Sequence, residues 1–198
     1  MLKKTAFTLA EVLITLGIIG VVAAMTIPGL MTNLQHKHTA AKLKKFYSTM
    51  KQVILQAEEE FGPVGDWEKT KDYTTFAQTY LAPYMKFTIS NVDNNVYLDL
   101  LDGTIMYFYK GGCLDIVIDI NGWSNPNKSG YDRFRFLACD DSNGWCGESS
   151  NFCTYKTNAL VKSNSRASYY NKCKSSPAYC SALIEYDGWT FQSDYPYK

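Results

Sequence analysis

The sequence predicts an α+β chain: a long N-terminal α-helix packed on an antiparallel β-sheet of roughly three or four strands, with a disulfide-stapled insertion toward the C-terminus. Three observations predict it. Apolar residues crowd near the N-terminus, and no charged residue stands between Val12 and Gln35. Beyond Asn95, apolar and polar residues alternate in short runs separated by turn residues, the pattern of half-buried strands. The six cysteines, Cys113, Cys139, Cys146, Cys153, Cys173 and Cys180, all lie in the C-terminal half.

A length of 198 residues and a net charge of +1 suit one domain plus an anchor. Near-neutral charge argues against a protein that coats nucleic acid. The 15 Tyr, 10 Phe and 4 Trp suit a head built on a sheet.

The N-terminal element begins with Lys3 and Lys4, a compact positive patch ahead of the apolar run from Phe7 to Met31. Positive charge holds that end in the cytoplasm. A run of about 20 apolar residues is long enough to cross a bilayer as a helix. A secretory signal peptide would be shorter and end on small residues. Here the far end reads Thr26-Ile27-Pro28, and the apolar periodicity continues past it.

Glu11 stands inside this run. A carboxylate there costs about 2.5–3.5 kcal/mol at a helix centre, and less near the interface, so it needs a cationic partner. Cleavage between Ala6 and Phe7 would create one, the α-ammonium of Phe7. Glu11 of one subunit could then pair with the Phe7 ammonium of a neighbour, which would fix the axial register between helices.

The stretch Ala6-Phe7-Thr8-Leu9-Ala10-Glu11, followed by Val12-Leu13-Ile14, resembles the prepilin peptidase recognition motif of type IV pilins and type II secretion pseudopilins. The resemblance covers about the first 30 residues. It implies cleavage before Phe7, N-methylation of Phe7, and Glu11 as the assembly carboxylate. Gly17, Gly20 and Pro28 fall where that family often carries helix-softening residues. Ala6 is a departure, because the family usually has Gly before the cut. The implied organisation is a leader over 1–6, a transmembrane and filament-core helix over 7–31, its amphipathic half over 32–62, and a pilin-like head over 63–198.

In the second half of the helix, Leu34, Ala41, Leu43, Phe46, Tyr47, Met50, Val53, Ile54, Ala57 and Phe61 recur at helical spacing. Pro28 should kink the helix nearby. Gly62-Pro63 should end it, giving one helix of about 80 Å from Phe7 to Phe61. One or two short helices are expected between Asp66 and Tyr84. A hairpin follows, Val96–Leu101 and Thr104–Tyr109 about Asp102-Gly103. Leu114, Ile116, Ile118 and Ile120 alternate with polar neighbours as a third strand, and Tyr131–Ala138 supplies a fourth. A closing hairpin is expected from Ala182–Ile184 and Trp189–Phe191 about Asp187-Gly188.

Residues 139–180 are rich in Ser, Asn and Gly and read as a loop-rich insertion. An even cysteine count behind a membrane-targeting segment reads as disulfides in an oxidising compartment. Zinc fits less well, because no Cys-x-x-Cys pair is present. Six cysteines allow fifteen pairings, and the spacing does not choose among them.

Between two strands, Asp119, Asn121, Asn125, Asn127 and Asp132 are oxygen donors of the type calcium prefers. The spacing is not that of an EF-hand. Asp and Asn that merely make turn hydrogen bonds account for the same residues. His36 and His38 are two apart, on different sides of a helix, which argues against metal there.

With no G-x-S-x-G, P-loop or H-E-x-x-H, and both histidines beside the apolar segment, catalysis is not expected. The resemblance implies a structural subunit of a type IV pilus-like filament or a type II secretion pseudopilus. Its partners would be other pilins, the prepilin peptidase, the inner-membrane assembly platform and membrane lipid. The head would lie outside the cytoplasm. The alternative is a minor tip pilin that binds DNA or a surface through its aromatic-rich insertion.

Overall fold

The computed structural model describes residues 8–68, 72–110, 113–139, 145–146 and 151–197. It divides into two compact units, Met1–His38 and Thr39–Lys198. One helix, α1 (Leu9–Phe61), contributes to both.

In the first unit α1 carries large apolar side chains with no packing partner. Leu9 is 78 % exposed and Met25 77 %. The helix is long and apolar enough here to cross a membrane. It runs through Pro28 without a break in helical assignment. The hydroxyls of Thr26 and Thr32 donate to the carbonyls of Val22 and Pro28, at 3.0 and 3.1 Å.

In the second unit the character of α1 changes at Thr39. From there Thr39, Leu43, Phe46, Met50, Val53 and Ala57 are buried, each three or four residues after the last, so they form one stripe. Leu34 and Ala41, expected on that stripe, are exposed. Gly62 donates to the Glu58 carbonyl at 3.0 Å and ends the helix, as expected from Gly62-Pro63. A 3-10 turn (Val64–Asp66) and α2 (Tyr73–Tyr80) follow. Asp72 caps α2 by accepting from the amides of Thr74 and Thr75.

The stripe packs on a six-stranded antiparallel sheet in simple sequential order. Its strands are β1 (Phe87–Val92), β2 (Asn95–Leu100), β3 (Ile105–Lys110), β4 (Leu114–Asp119), β5 (Arg133–Ala138) and β6 (Phe152–Thr154). The expected hairpin and the third and fourth strands are β2 to β5. Strand β5 starts at Arg133 rather than Tyr131, because the amides of Tyr131, Asp132 and Arg133 all donate to the Lys128 carbonyl.

Two strands exceed the expected three or four. Strand β1 joins β2 through Asp93 and Asn94, both at positive φ, a two-residue hairpin turn that Asn and Asp tolerate. Its alternation, Phe87 and Ile89 against Thr88 and Ser90, is short and breaks at Asn91. Strand β6 has only three residues. Alternate side chains of the sheet, among them Leu98, Met106, Ile116, Phe134 and Phe136, enter the core with α1. Phe46 meets Phe136 at 5.2 Å between ring centroids.

The C-terminal region differs most from expectation. It holds α3 (Asn158–Ser163), α4 (Arg166–Ser175), a 3-10 turn (Pro177–Tyr179) and α5 (Cys180–Tyr186). The expected closing hairpin is therefore a helix and its cap. Three apolar residues in a row, Ala182 to Ile184, do not separate strand from helix. Asp187-Gly188 closes α5 instead: Gly188 donates to Glu185 at 3.0 Å and Trp189 to Ile184 at 2.7 Å. That is a Schellman pair, which needs the positive φ of +70° found at Gly188.

Candidate functional site

Ala6 and Phe7 lie outside the described residues. The residues just after them form a capping box. Thr8 donates from its amide and from its hydroxyl to Glu11 Oε2, both at 2.8 Å. The Glu11 amide donates back to the Thr8 hydroxyl at 3.2 Å. The Thr-x-x-Glu spacing from Thr8 to Glu11 is the sequence signal of this box, which the apolar run around Glu11 masks. The carboxylate therefore has a role within its own helix. Both bonds fall on Oε2, so Oε1 is left for a second partner. Gly20 and Pro28 sit in the exposed apolar part of α1, and an added Cβ at Gly20 would meet open space.

The Asp119–Asp132 loop joins β4 to β5 and closes on itself. The Ile120 amide donates to the Asp132 carbonyl at 2.9 Å. Asn121 Nδ2 donates to the Asn125 carbonyl at 3.0 Å. Asp132 is used locally: its oxygens accept from the amides of Asn127, at 2.8 Å, and of Lys128. Gly122 lets the loop approach the β2–β3 turn, since a Cβ there would stand 2.7 Å from the Gly103 carbonyl. From α1, Lys42 Nζ donates to the carbonyls of Ile120 at 2.9 Å and Asp102 at 3.2 Å.

Among the described residues, the buried side-chain polar atoms without a hydrogen-bond partner are Asp119 Oδ1, Asn121 Oδ1 and Asn127 Oδ1. All three belong to this one loop. Asp119 is 1 % exposed, and its other oxygen accepts from Arg133 Nε at 2.6 Å. Burial pushes its carboxyl above the ordinary range, and the charge of Asp132 adds to that. The Arg133 hydrogen bond and charge, and to a lesser extent the nearby Asn121 backbone amide, pull the other way. Unpartnered buried oxygens cost free energy unless something fills them. Among the described residues no group of three His, Cys, Asp or Glu could hold a metal. A cation here would be held by one carboxylate and two amide oxygens, a donor set suited to calcium.

Of the expected donors, Asp119 and Asn121 each carry an open oxygen, Asp132 accepts from two loop amides, and Asn125 accepts from Asn121 through its backbone carbonyl. Asn127 carries the third open oxygen.

The cysteines pair as Cys113–Cys139, Cys146–Cys153 and Cys173–Cys180, leaving none free. Cys113 and Cys139 flank Leu114 and Ala138, which face each other in the β4–β5 register. The disulfide reading over zinc is borne out.

Fold and cystines together define an α+β protein with a long apolar N-terminal helix, a helix-backed antiparallel sheet and three disulfides in its C-terminal part. The chain belongs to a family of unknown function, DUF6613, whose model matches residues 29–198. No curated protein and no solved structure matches it.

Proposed function

We propose that this chain is a structural subunit of a type IV pilus-like filament or type II secretion pseudopilus, cut before Phe7 by a prepilin peptidase and N-methylated there. The observation that carries the reading is the division of labour along α1. Its first part exposes an apolar surface from Leu9 onward, with Glu11 near its start, and its second part, from Thr39, enters the core of a disulfide-bonded head. A helix that is apolar all round and unpartnered requires lipid or other helices. A filament bundle supplies the second after the membrane has supplied the first. Glu11 Oε1 is left to meet the Phe7 ammonium of a neighbour. The partners are then copies of this chain, related pilins and the inner-membrane assembly platform. The head folds outside the cytoplasm, where its cystines persist.

Mass spectrometry of the N-terminal peptide, from membranes and from a sheared extracellular fraction, tests this. A chain that starts at N-methylated Phe7 is the expected result. An intact Met1 confined to membranes would sink the filament reading.

The loop supports a second element of the reading. It takes up calcium through Asp119, Asn121 and Asn127, whose three open oxygens are the observation that favours it.

A further inference from the structure

The sheet face opposite α1 carries an unbroken file of rings and cations. Trp123 lies 5.0 Å from Tyr97, Tyr97 5.3 Å from Tyr107, and Tyr107 5.5 Å from Tyr109. The Arg135 guanidinium comes next, 5.5 Å from the Tyr109 ring and 5.2 Å from that of Tyr155. Tyr155 in turn stands 5.0 Å from Tyr179. The register produces the file. Tyr97 faces Tyr107 across β2 and β3, and Tyr109 follows two residues on, on the same face.

Cross-strand tyrosines stabilise a sheet wherever they occur. Two features go beyond that. Trp123 and Tyr109 are 54 % and 48 % exposed, and the Trp123 indole is held at the surface by donating to Asp99 Oδ1 at 3.2 Å. Two shallow cavities of about 270 and 260 Å³ are both bounded by Tyr107 and Tyr109. The first is lined by Asn94 and Asn95 and also by Tyr73 and Phe108, which belong to the core side of the sheet, and the second by Ser129, Arg133, Arg135 and Ser176. Trp123 lies outside both, at the end of the file.

We propose that this groove binds a neutral oligosaccharide, with sugar rings stacked on Tyr107, Tyr109 and Trp123. The C–H face of a sugar ring packs against an electron-rich aromatic face. Amide, hydroxyl and guanidinium groups on either side match its hydroxyls.

Charge selects the class of ligand. Arg133 is already paired with Asp119 at 2.6 Å, and Arg135 with Asp115 at 3.5 Å. A polyanion would meet guanidiniums that are already neutralised, and single-strand nucleic-acid grooves depend on free positive charge. Each cavity falls just below the roughly 300 Å³ of the smallest common ligand sites, so each is a shallow subsite beside the rings. This inference is independent of how the N-terminus is processed.

The test uses the full-length chain in a zwitterionic detergent that contains no sugar. It is applied to an array of neutral β-glucan, chitin and mannan oligosaccharides, sulfated glycans and a dT12 oligonucleotide. Hits are titrated by isothermal titration calorimetry, which reads Trp123→Ala and the other variants alike. A neutral oligosaccharide is expected to bind. Tyr109→Ala and Trp123→Ala should each weaken binding about tenfold or more. Tyr186→Ala, at an exposed ring outside the groove, should leave binding unchanged. Tyr107→Phe keeps the ring and guards against loss of fold, and should cost less than Tyr109→Ala. Absence of any neutral hit, or binding that survives both alanine variants, overturns the proposal. So does retention of dT12 or sulfated glycans alone.

Discussion

Asp115, Asp119 and Asp132 lie on or beside one sheet and meet three different fates. Asp132 is consumed by loop amides. Asp119 is half consumed by Arg133, and Asp115 is paired at 3.5 Å with Arg135. Burial raises the Asp115 carboxyl above the ordinary range, and Arg135 only partly offsets it. A carboxyl raised on folding makes the folded chain hold the extra proton. Its contribution to stability is complete below the unfolded pKa and is lost as pH rises through the folded one. Denaturant titrations across about pH 4 to 7 should therefore show Asp115→Asn with a flatter decline than the parent. An unchanged slope would refute this assignment. For the loop, calcium at about 100 times its Kd should add about 2.7 kcal/mol to the stability of the chain. Asn121→Ala and Asn127→Ala should abolish that gain. Asn125→Ala should retain it, because the hydrogen bond Asn125 accepts from Asn121 is made by its backbone carbonyl. Equal loss at all three asparagines would contradict the ligand set. The sequence made the oxygen-rich loop legible, but which oxygens remain open depends on hydrogen bonds that only the closed loop defines.

At the scale of elements, what was legible followed strong periodicity. The amphipathic half of α1 and strands β2 to β5 carry clean 3.6- or 2-residue patterns. Elements that went unread lack one. Strand β1 is half exposed along its length. Helix α4 has the sequence RASYYNKCKS, whose Ser and Asn resemble loop composition until the Ser165 cap is noticed. The cystines hold this region, and the loops they close differ in length. Cys113–Cys139 spans 26 residues, and each of the other two spans 7. On loop-closure grounds, replacing the first pair by serines should cost about 3.5 kcal/mol and either of the others about 2.4 kcal/mol. Thermal denaturation of the three double-serine variants checks the ranking. A reversed order would show that native packing, not chain entropy, sets the cost.

At the scale of the whole molecule, one helix meets two environments, and substitution should separate them. Met50 is 1 % exposed and Leu34 52 %. Met50→Ala should destabilise the head by about 2–5 kcal/mol. Leu34→Ala should leave head unfolding within about 0.5 kcal/mol of the parent, while impairing assembly if the filament reading holds. Similar unfolding losses for both would mean that the head's core extends further up α1 than Thr39.

The order of the cystines has a consequence for how the chain matures. Along the sequence the first cysteine pairs with the second, the third with the fourth, and the fifth with the sixth. No bridge straddles another, so the cross-links never interlock. Oxidation that joins the cysteines two by two in sequence order makes the native set at the first attempt. Consecutive joining needs no later exchange of partners, and each covalent ring is complete within its own stretch of sequence.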